Sequence, residues 1–417
     1  MAPARAQQHS TAVTPPLLIA LGALTILGPF GTDAYLPALP AMADDLGAAP
    51  GTIQLCLTGF TLGMALGQLF AGPLSDGAGR RGPMLIGSTV ATLAAVAGAF
   101  APNLTLLVTC CAAMGIGASF GLVVSRAVLA DMVDGPALTR SYALLGTLTA
   151  LGPIISPIIG VALLYLFGWR GIFVALAVLA ALCFVAVTIF VPESLPRERR
   201  LSRSLRTLPR NALVAFRSRT YLGGATVLWF GFAGLFAYIA ASPFLIQGVL
   251  GLSPLAYSII FGVNGVGLVL GGIITARLSK KWSERTIMTL GLGLESLGAL
   301  IVLVCTLSGV LSAWTLLPAL FLIASCMGFL FGPGTSYALH GLRHVAGTAL
   351  AIIGAVQFVG AGIVSPLVEL NGDQDPLPVA LVVSACVALA WVGWIVFRTP
   401  QPAHSSQLTE GAPHGTS

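Results

Sequence analysis

The stretch Gly72-Pro73-Leu74-Ser75-Asp76-Gly77-Ala78-Gly79-Arg80-Arg81 sits between two apolar runs, residues 53–73 and 83–101. A helix crosses the hydrocarbon core with about 20 apolar residues, and both runs reach that length. The decapeptide therefore reads as a short charged turn at a membrane surface. Working outward from it, the same alternation recurs. Apolar runs cover 17–36, 104–130, 143–167 and 171–191, then, after a basic gap, 221–245, 257–276, 286–308, 313–339, 346–368 and 377–397. Twelve spans result, six on either side of the gap.

Composition agrees. Of 417 residues 56% are hydrophobic and 8% charged, against roughly 25% charged in soluble proteins. Such a chain cannot cover a water-facing surface, and twelve spans leave no room for a soluble catalytic domain. The seven cysteines all lie in apolar runs without CxxC spacing, so neither a disulfide framework nor a zinc site is implied.

Positive charge sets the expected orientation. With the N-terminus inside, 18 of the 20 basic residues fall on the inner side, while Asp44, Asp45, Asp373 and Asp375 fall outside. The expected organisation is an inner tail over 1–16, a six-helix bundle over 17–191, a basic inner linker over 192–220, a second bundle over 221–397 and an inner, disordered tail over 398–417. Ala41-Met42-Ala43 has the look of a signal-peptidase site, but the run before it is longer than the ~7–15 apolar residues of a signal core. Eight arginines in the linker are explained by anionic lipid headgroups without nucleic acid. The halves also echo each other: Leu74-Ser75-Asp76 recurs 204 positions later as Leu278-Ser279-Lys280, and such repeats mark transporters whose halves rock about a central site.

Several passages resemble the major facilitator superfamily, and within it the bicyclomycin-resistance (Bcr/CflA) branch of bacterial drug:proton antiporters. They are Thr32-Asp33-Ala34-Tyr35-Leu36-Pro37-Ala38-Leu39-Pro40, the opening decapeptide, and Gly152-Pro153-Ile154-Ile155-Ser156-Pro157-Ile158-Ile159-Gly160 with Gly168-Trp169-Arg170. Pro192-Glu193-Ser194-Leu195-Pro196, Ser242-Pro243-Phe244, Gly251-Leu252-Ser253 and Gly347-Thr348-Ala349 leading to Gly354 and Gln357 complete the set. The resemblance implies an all-α, polytopic membrane protein with twelve transmembrane helices in two pseudo-symmetric bundles. It also implies an exporter of the bacterial inner membrane, monomeric, with no cofactor and a proton gradient as energy source.

The motifs carry physical expectations of their own. Gly77, Ala78 and Gly79 let the inner loop turn tightly, and Asp76 can pair with Arg80 or Arg81 to latch one conformation, with Asp131 nearby. Gly59, Gly63, Gly67 and Ala71 form a stripe of small residues that permits close helix crossing. Gly152, Pro153, Pro157 and Gly160 are expected to bend span five, since each proline removes a backbone hydrogen bond; the resemblance makes this stretch a seal against leak in an exchanger.

Ionisable groups within spans each cost about 2.5–3.5 kcal/mol at mid-depth, so they point to mechanism. Asp33 lies about 24 Å along a ~30 Å core, where partial burial disfavours the ionised form and suits proton exchange. Arg126 falls about 33 Å down span four, at the inner surface, beyond reach of Asp33 but near Asp131. Here the chain departs from the branch, which carries an arginine and a glutamine in span four at the positions of Cys111 and Met114. Glu295 is expected at mid-depth of span nine, a peripheral helix in the superfamily, and stands with Asp33 and Arg126 as a candidate for proton or substrate coupling; Glu369 is expected at the outer end of span eleven. His340 and His344 are one turn apart but lack the glutamate of a zinc-binding HExxH. The helices expected to line the cavity offer Tyr35, Trp229, Phe236, Tyr238, Phe329 and Tyr337, with Ser242, Gln247, Ser325 and Ser336 as polar points. Such an aromatic lining suits a small amphipathic organic substrate. A facilitator or symporter importing a small metabolite is the competing expectation; a membrane enzyme or receptor would need a polar catalytic cluster or a sensing domain, and neither is present.

Overall fold

The computed structural model describes residues 14–200, 204–342, 345–368 and 375–397. The expected tails before residue 14 and after 397, together with Arg343, His344, Glu369 and Asp373, lie outside these. Every regular element among the described residues is helical.

Local chemistry sets the helix starts. Pro15 and Pro254 open their helices in the first turn, where a missing N–H costs nothing. Asn103, Ser253 and Ser283 cap with side-chain oxygens, and Ser312 with Thr315 forms a reciprocal capping box. The spans are Pro15–Asp33, Leu55–Ala78, Arg81–Ala99 and Leu104–Met132 (spans one to four), then a long helix Gly135–Phe190. The second set is Arg219–Pro243, Pro254–Leu278, Glu284–Leu307, Ala313–Ala338, Ala346–Leu367 and Leu377–Phe397 (spans seven to twelve).

Eleven helical stretches are long and apolar enough to cross a membrane, and one of them, Arg140–Phe190, runs for 51 residues. At 1.5 Å per residue it would extend about 77 Å, far beyond a ~30 Å core. Gly168 divides it: with φ 69° and ψ −179° it is the one residue in that helix off helical geometry, a conformation glycine adopts without strain. Spans five and six lie on either side, so the count is twelve.

One expectation about local shape changes. Span two continues through Gly77 to Ala78, so the turn is confined to Gly79, whose φ of 97° stops the helix. Span five stays within helical backbone angles through Pro153 and Pro157, so the prolines do not break the helix.

Within lipid there is little hydrophobic gain from joining helices, so close van der Waals contact must hold the bundle. The small-residue stripe supplies it: Gly59 and Gly63 of span two lie against the backbone of Val108 and Ala112 in span four. The second bundle does the same with Gly271 on the Ser325 carbonyl and Gly328 on that of Leu268. The two bundles meet along two seams, span two with span eleven and span five with span eight. We call the end bearing the 79–81 turn and the arginine-rich linker the basic face, and the opposite end the far face.

Candidate functional site

Asp33 ends span one at the far face and is 4% exposed. Thr32 beside it spends its hydroxyl on the Pro29 carbonyl at 3.0 Å, and its side chain also lies against the carboxylate. Three phenols surround Asp33 within electrostatic reach: Tyr35 from its own segment, Tyr238 from span seven and Tyr257 from span eight. Tyr35 stacks on Phe173 at 5.7 Å between centroids, and its buried hydroxyl has no hydrogen-bond partner. Asn264 donates to the Tyr238 hydroxyl at 2.5 Å, and Tyr257 shares a hydrogen bond with Ser242 at 3.1 Å. Among the described residues Asp33 makes no ion pair. The site thus joins an acid from one half to phenols from the other.

The proline-glycine stretch of span five forms the wall beside it. Gly160 sits on the Ala34 carbonyl and Gly152 on Pro29, while Ser258 of span eight donates to the Pro157 carbonyl at 3.0 Å. Further bonds bridge the halves here. Gln54 donates to the Ala240 carbonyl at 2.6 Å, Gln247 to that of Pro37 at 3.3 Å, and Thr58 to that of Gly362 at 3.2 Å. Together they hold the far face closed.

Span four brings no charge to this site. Cys111 is fully buried beside Cys56 of span two and close to Tyr35, so a dry sulfur contact occupies the place where the branch has an arginine. Arg126 is exposed near the basic end, its carbonyl accepting from Tyr142 at 3.1 Å. Asp131, expected in the latch and near Arg126, pairs with Arg80.

Arg80 organises the basic face of the first bundle. Its Nε donates to Asp131 Oδ2 at 2.8 Å, and its Nη1 to Asp76 Oδ1 at 2.5 Å and Ser75 Oγ at 2.8 Å. Ser194 adds a hydrogen bond to Asp131 at 3.0 Å, and Glu193 accepts from the Arg80 backbone N–H at 2.7 Å. Burial works against the guanidinium charge, but the bonds to Asp131 and Asp76 outweigh it and hold the Arg80 pKa above the usual arginine range. Arg81, the other expected partner of Asp76, reaches the Thr188 carbonyl at 2.5 Å instead. In the second half the pattern returns with reversed sign. Glu284, 204 positions after Arg80, meets Ser336 and the His340 ring, the latter at 3.2 Å; Arg285 stands over the Tyr337 ring.

Glu295, a candidate for coupling, turns away from lipid. Its helix, span nine, is peripheral, but the side chain points inward and is 0% exposed, since a carboxyl facing lipid would meet nothing but hydrocarbon. It lies against Gly231 and Gly234 of span seven.

The expected cavity residues divide. Tyr35, Tyr238, Ser242 and Gln247 gather at the far face. Two lie further along span seven: Gln357 donates to the Leu228 carbonyl at 3.2 Å, and Trp229 packs on Tyr221. Tyr337 stands apart at the basic end against Trp394 at 5.3 Å. Tyr257, Asn264, Gln54 and Ser258 escaped the sequence reading. Asn264, a lone amide within an apolar run, was the one with a visible signal.

A helical, multi-pass fold in two bundles with a buried acid at their junction is the architecture of a membrane transporter. The chain belongs to the Major Facilitator Superfamily, whose profile matches residues 21–366. It is 34% identical over 390 residues to the uncharacterized MFS-type transporter YdgK of Bacillus subtilis, covering 92% of this chain and 96% of that one. It is 28% identical to the bicyclomycin resistance protein homolog of Haemophilus influenzae, covering 92% of this chain and 96% of the relative. Among solved structures, the partially occluded inward-open xylose transporter XylE of Escherichia coli superposes with a TM-score of 0.69 at 14% identity. That match covers 90% of this chain and 97% of that one; at this identity it speaks for the fold alone.

Proposed function

We propose that the protein is a secondary exporter of small amphipathic drugs or antibiotics, working by alternating access in exchange for protons. It resides in the bacterial inner membrane with both termini cytoplasmic, acts as a monomer, and uses no cofactor, metal or nucleic acid. The observation that carries this reading is Asp33, a buried carboxyl without an ion pair, set where the two halves meet at a closed face. An acid so placed gains or loses its proton only when the seam opens to water, which ties protonation to the change of access. The relative named for bicyclomycin resistance supports a drug-like substrate, and the aromatic surroundings of Tyr35 and Tyr238 suit one.

In this reading Asp33 titrates, Arg80 with Asp76 and Asp131 latches the basic face, and the span-five stretch seals the seam. Uptake into everted vesicles across an antibiotic panel tests it. Asp33→Asn is expected to abolish uptake driven by a pH gradient while leaving downhill flux. Unchanged gradient-driven transport in Asp33→Asn would contradict the assignment.

The sulfur contact at Cys111 favours a second reading, a facilitator or symporter that imports a small metabolite, because no span-four cation stands ready to displace a proton from Asp33. Flux that is indifferent to the pH gradient, or runs with it, selects this alternative.

A further inference from the structure

Glu295 lies inside the second bundle, between spans seven, nine, ten and twelve, and is fully buried. Neither of its oxygens has a hydrogen-bond partner of ordinary geometry. Span seven opposes it with glycines alone: a Cβ at Gly234 would stand 2.8 Å from Oε1, and one at Gly231 3.3 Å from Oε2. The titratable groups that face it are two thiols, Cys326 of span ten and Cys386 of span twelve. Cys326 donates to the Ile323 carbonyl at 2.9 Å, and Met327 and Leu330 fill the remaining space at Gly231. No lysine, arginine or histidine pairs with the acid among the described residues.

Such a pocket cannot hold a carboxylate. An ion there would forfeit its hydration with only the weak Cys326 thiol, already directed at the Ile323 carbonyl, as a donor in exchange. A metal cation would need several more oxygens, yet the neighbouring backbone carbonyls are engaged within helices. The one ligand whose chemistry fits is a proton, carried on the neutral acid.

We propose that Glu295 is a proton-binding site distinct from Asp33, and that its ionisation is coupled to separation of span seven from span nine. The coupling is geometric. Gly231 and Gly234 form a smooth notch in which the acid rests, and to become solvated it must leave that notch. Between about one and two turns beyond Gly234, span seven presents Tyr238 to the Asp33 cluster and the Ala240 carbonyl to Gln54. Span seven then leaves α-helical geometry after Pro243, in the wider turn Phe244–Val249, a point at which it can swing. Loss of the Glu295 proton therefore loosens the helix that closes the far face.

Two measurements on the full chain in lipid nanodiscs test this, and neither needs a substrate, so a failed export assay does not affect them. In infrared spectra, the carbonyl stretch of a buried protonated acid is expected in Asp33→Asn, where Asp33 cannot contribute, and absent once Glu295→Gln is added to it. In hydrogen exchange corrected for intrinsic rates, span seven of the wild type is expected to lose protection by roughly tenfold at alkaline pH, within the usual range of coupled sites. Glu295→Gln, a permanent mimic of the neutral acid, is expected to stay protected. A band unchanged on adding Glu295→Gln to Asp33→Asn, or equal loss of protection in the wild type and Glu295→Gln, overturns the proposal. If Glu295→Gln fails to fold, Glu295→Asp is expected to shift the frequency of the band, and an unmoved band has the same adverse meaning.

Discussion

Arg80 donates its Nε hydrogen to Asp131 Oδ2 at 2.8 Å, tying the turn after span two to the end of span four. The same guanidinium, 9% exposed, also serves Asp76, so two carboxylates depend on one cation.

Removing that cation takes an ion pair from both acids. Arg80→Ala is expected to cost about 1–3 kcal/mol, below the roughly 3–5 kcal/mol of a fully buried pair because water screens the partly exposed Asp76. Arg80→Lys should recover only part, since an ammonium lacks the forked donors. Thermal unfolding of the purified proteins measures both, and an Arg80→Ala protein that melts with the wild type refutes the latch.

Gly59→Ala would set a Cβ 2.7 Å from the Val108 carbonyl oxygen. Backbone of a packed helix cannot step aside as a flexible side chain can. A loss of about 1–3 kcal/mol is expected, seen as a lower yield of monodisperse protein. Gly146→Ala, where nothing lies within 4 Å, serves as the control and should gain up to about 1 kcal/mol in helix propensity. Similar behaviour of the two variants would mean that the small-residue stripe does not set the packing.

At the far face, Gln54 and Ser258 each donate one hydrogen bond across the halves. Gln54→Ala and Ser258→Ala should each weaken closure by about 0.5–1.5 kcal/mol, a roughly two- to tenfold shift toward far-side-open protein. Solvent accessibility of the Asp33 cluster, read by hydrogen exchange in span seven, should rise in each and further in the pair. No change in the double variant would place the barrier elsewhere.

Asn264→Leu leaves the Tyr238 hydroxyl buried without its donor. The expected cost is about 1–3 kcal/mol. Adding Tyr238→Phe removes the orphan as well, so the double variant should be more stable than Asn264→Leu alone. Chemical denaturation of the four proteins in this cycle decides the matter, and a double variant less stable than the single would show that the pair is not coupled through this bond.

Much of this architecture was legible in the chain. Apolar length sets the spans, since lipid demands about 20 residues per crossing, and the Arg80 turn stands out because charge is so scarce. Asp33 was visible for the same reason. The role of Gly77 was misjudged, because glycine permits a turn without requiring one, and helix propagation carried span two past it to Gly79. The grouping of Asp131 with Arg80 and Asp76 was legible as a latch, and packing of span two on span four supplies its geometry.

By itself the sequence determined how many helices cross the membrane, which ends carry the basic residues and which few polar groups must be buried. These follow from local quantities, hydropathy and charge, that act on each segment separately. Only the tertiary structure decided which face each helix turns inward. A lone glutamate in an apolar run costs the same wherever it points until neighbouring helices offer it a notch, and Glu295 found one at Gly231 and Gly234 of a helix more than sixty residues away. The grouping of Asp33 with Tyr238, Tyr257 and Asn264 was likewise beyond one-dimensional reading, because it arises from contact between two halves that pack as separate bundles.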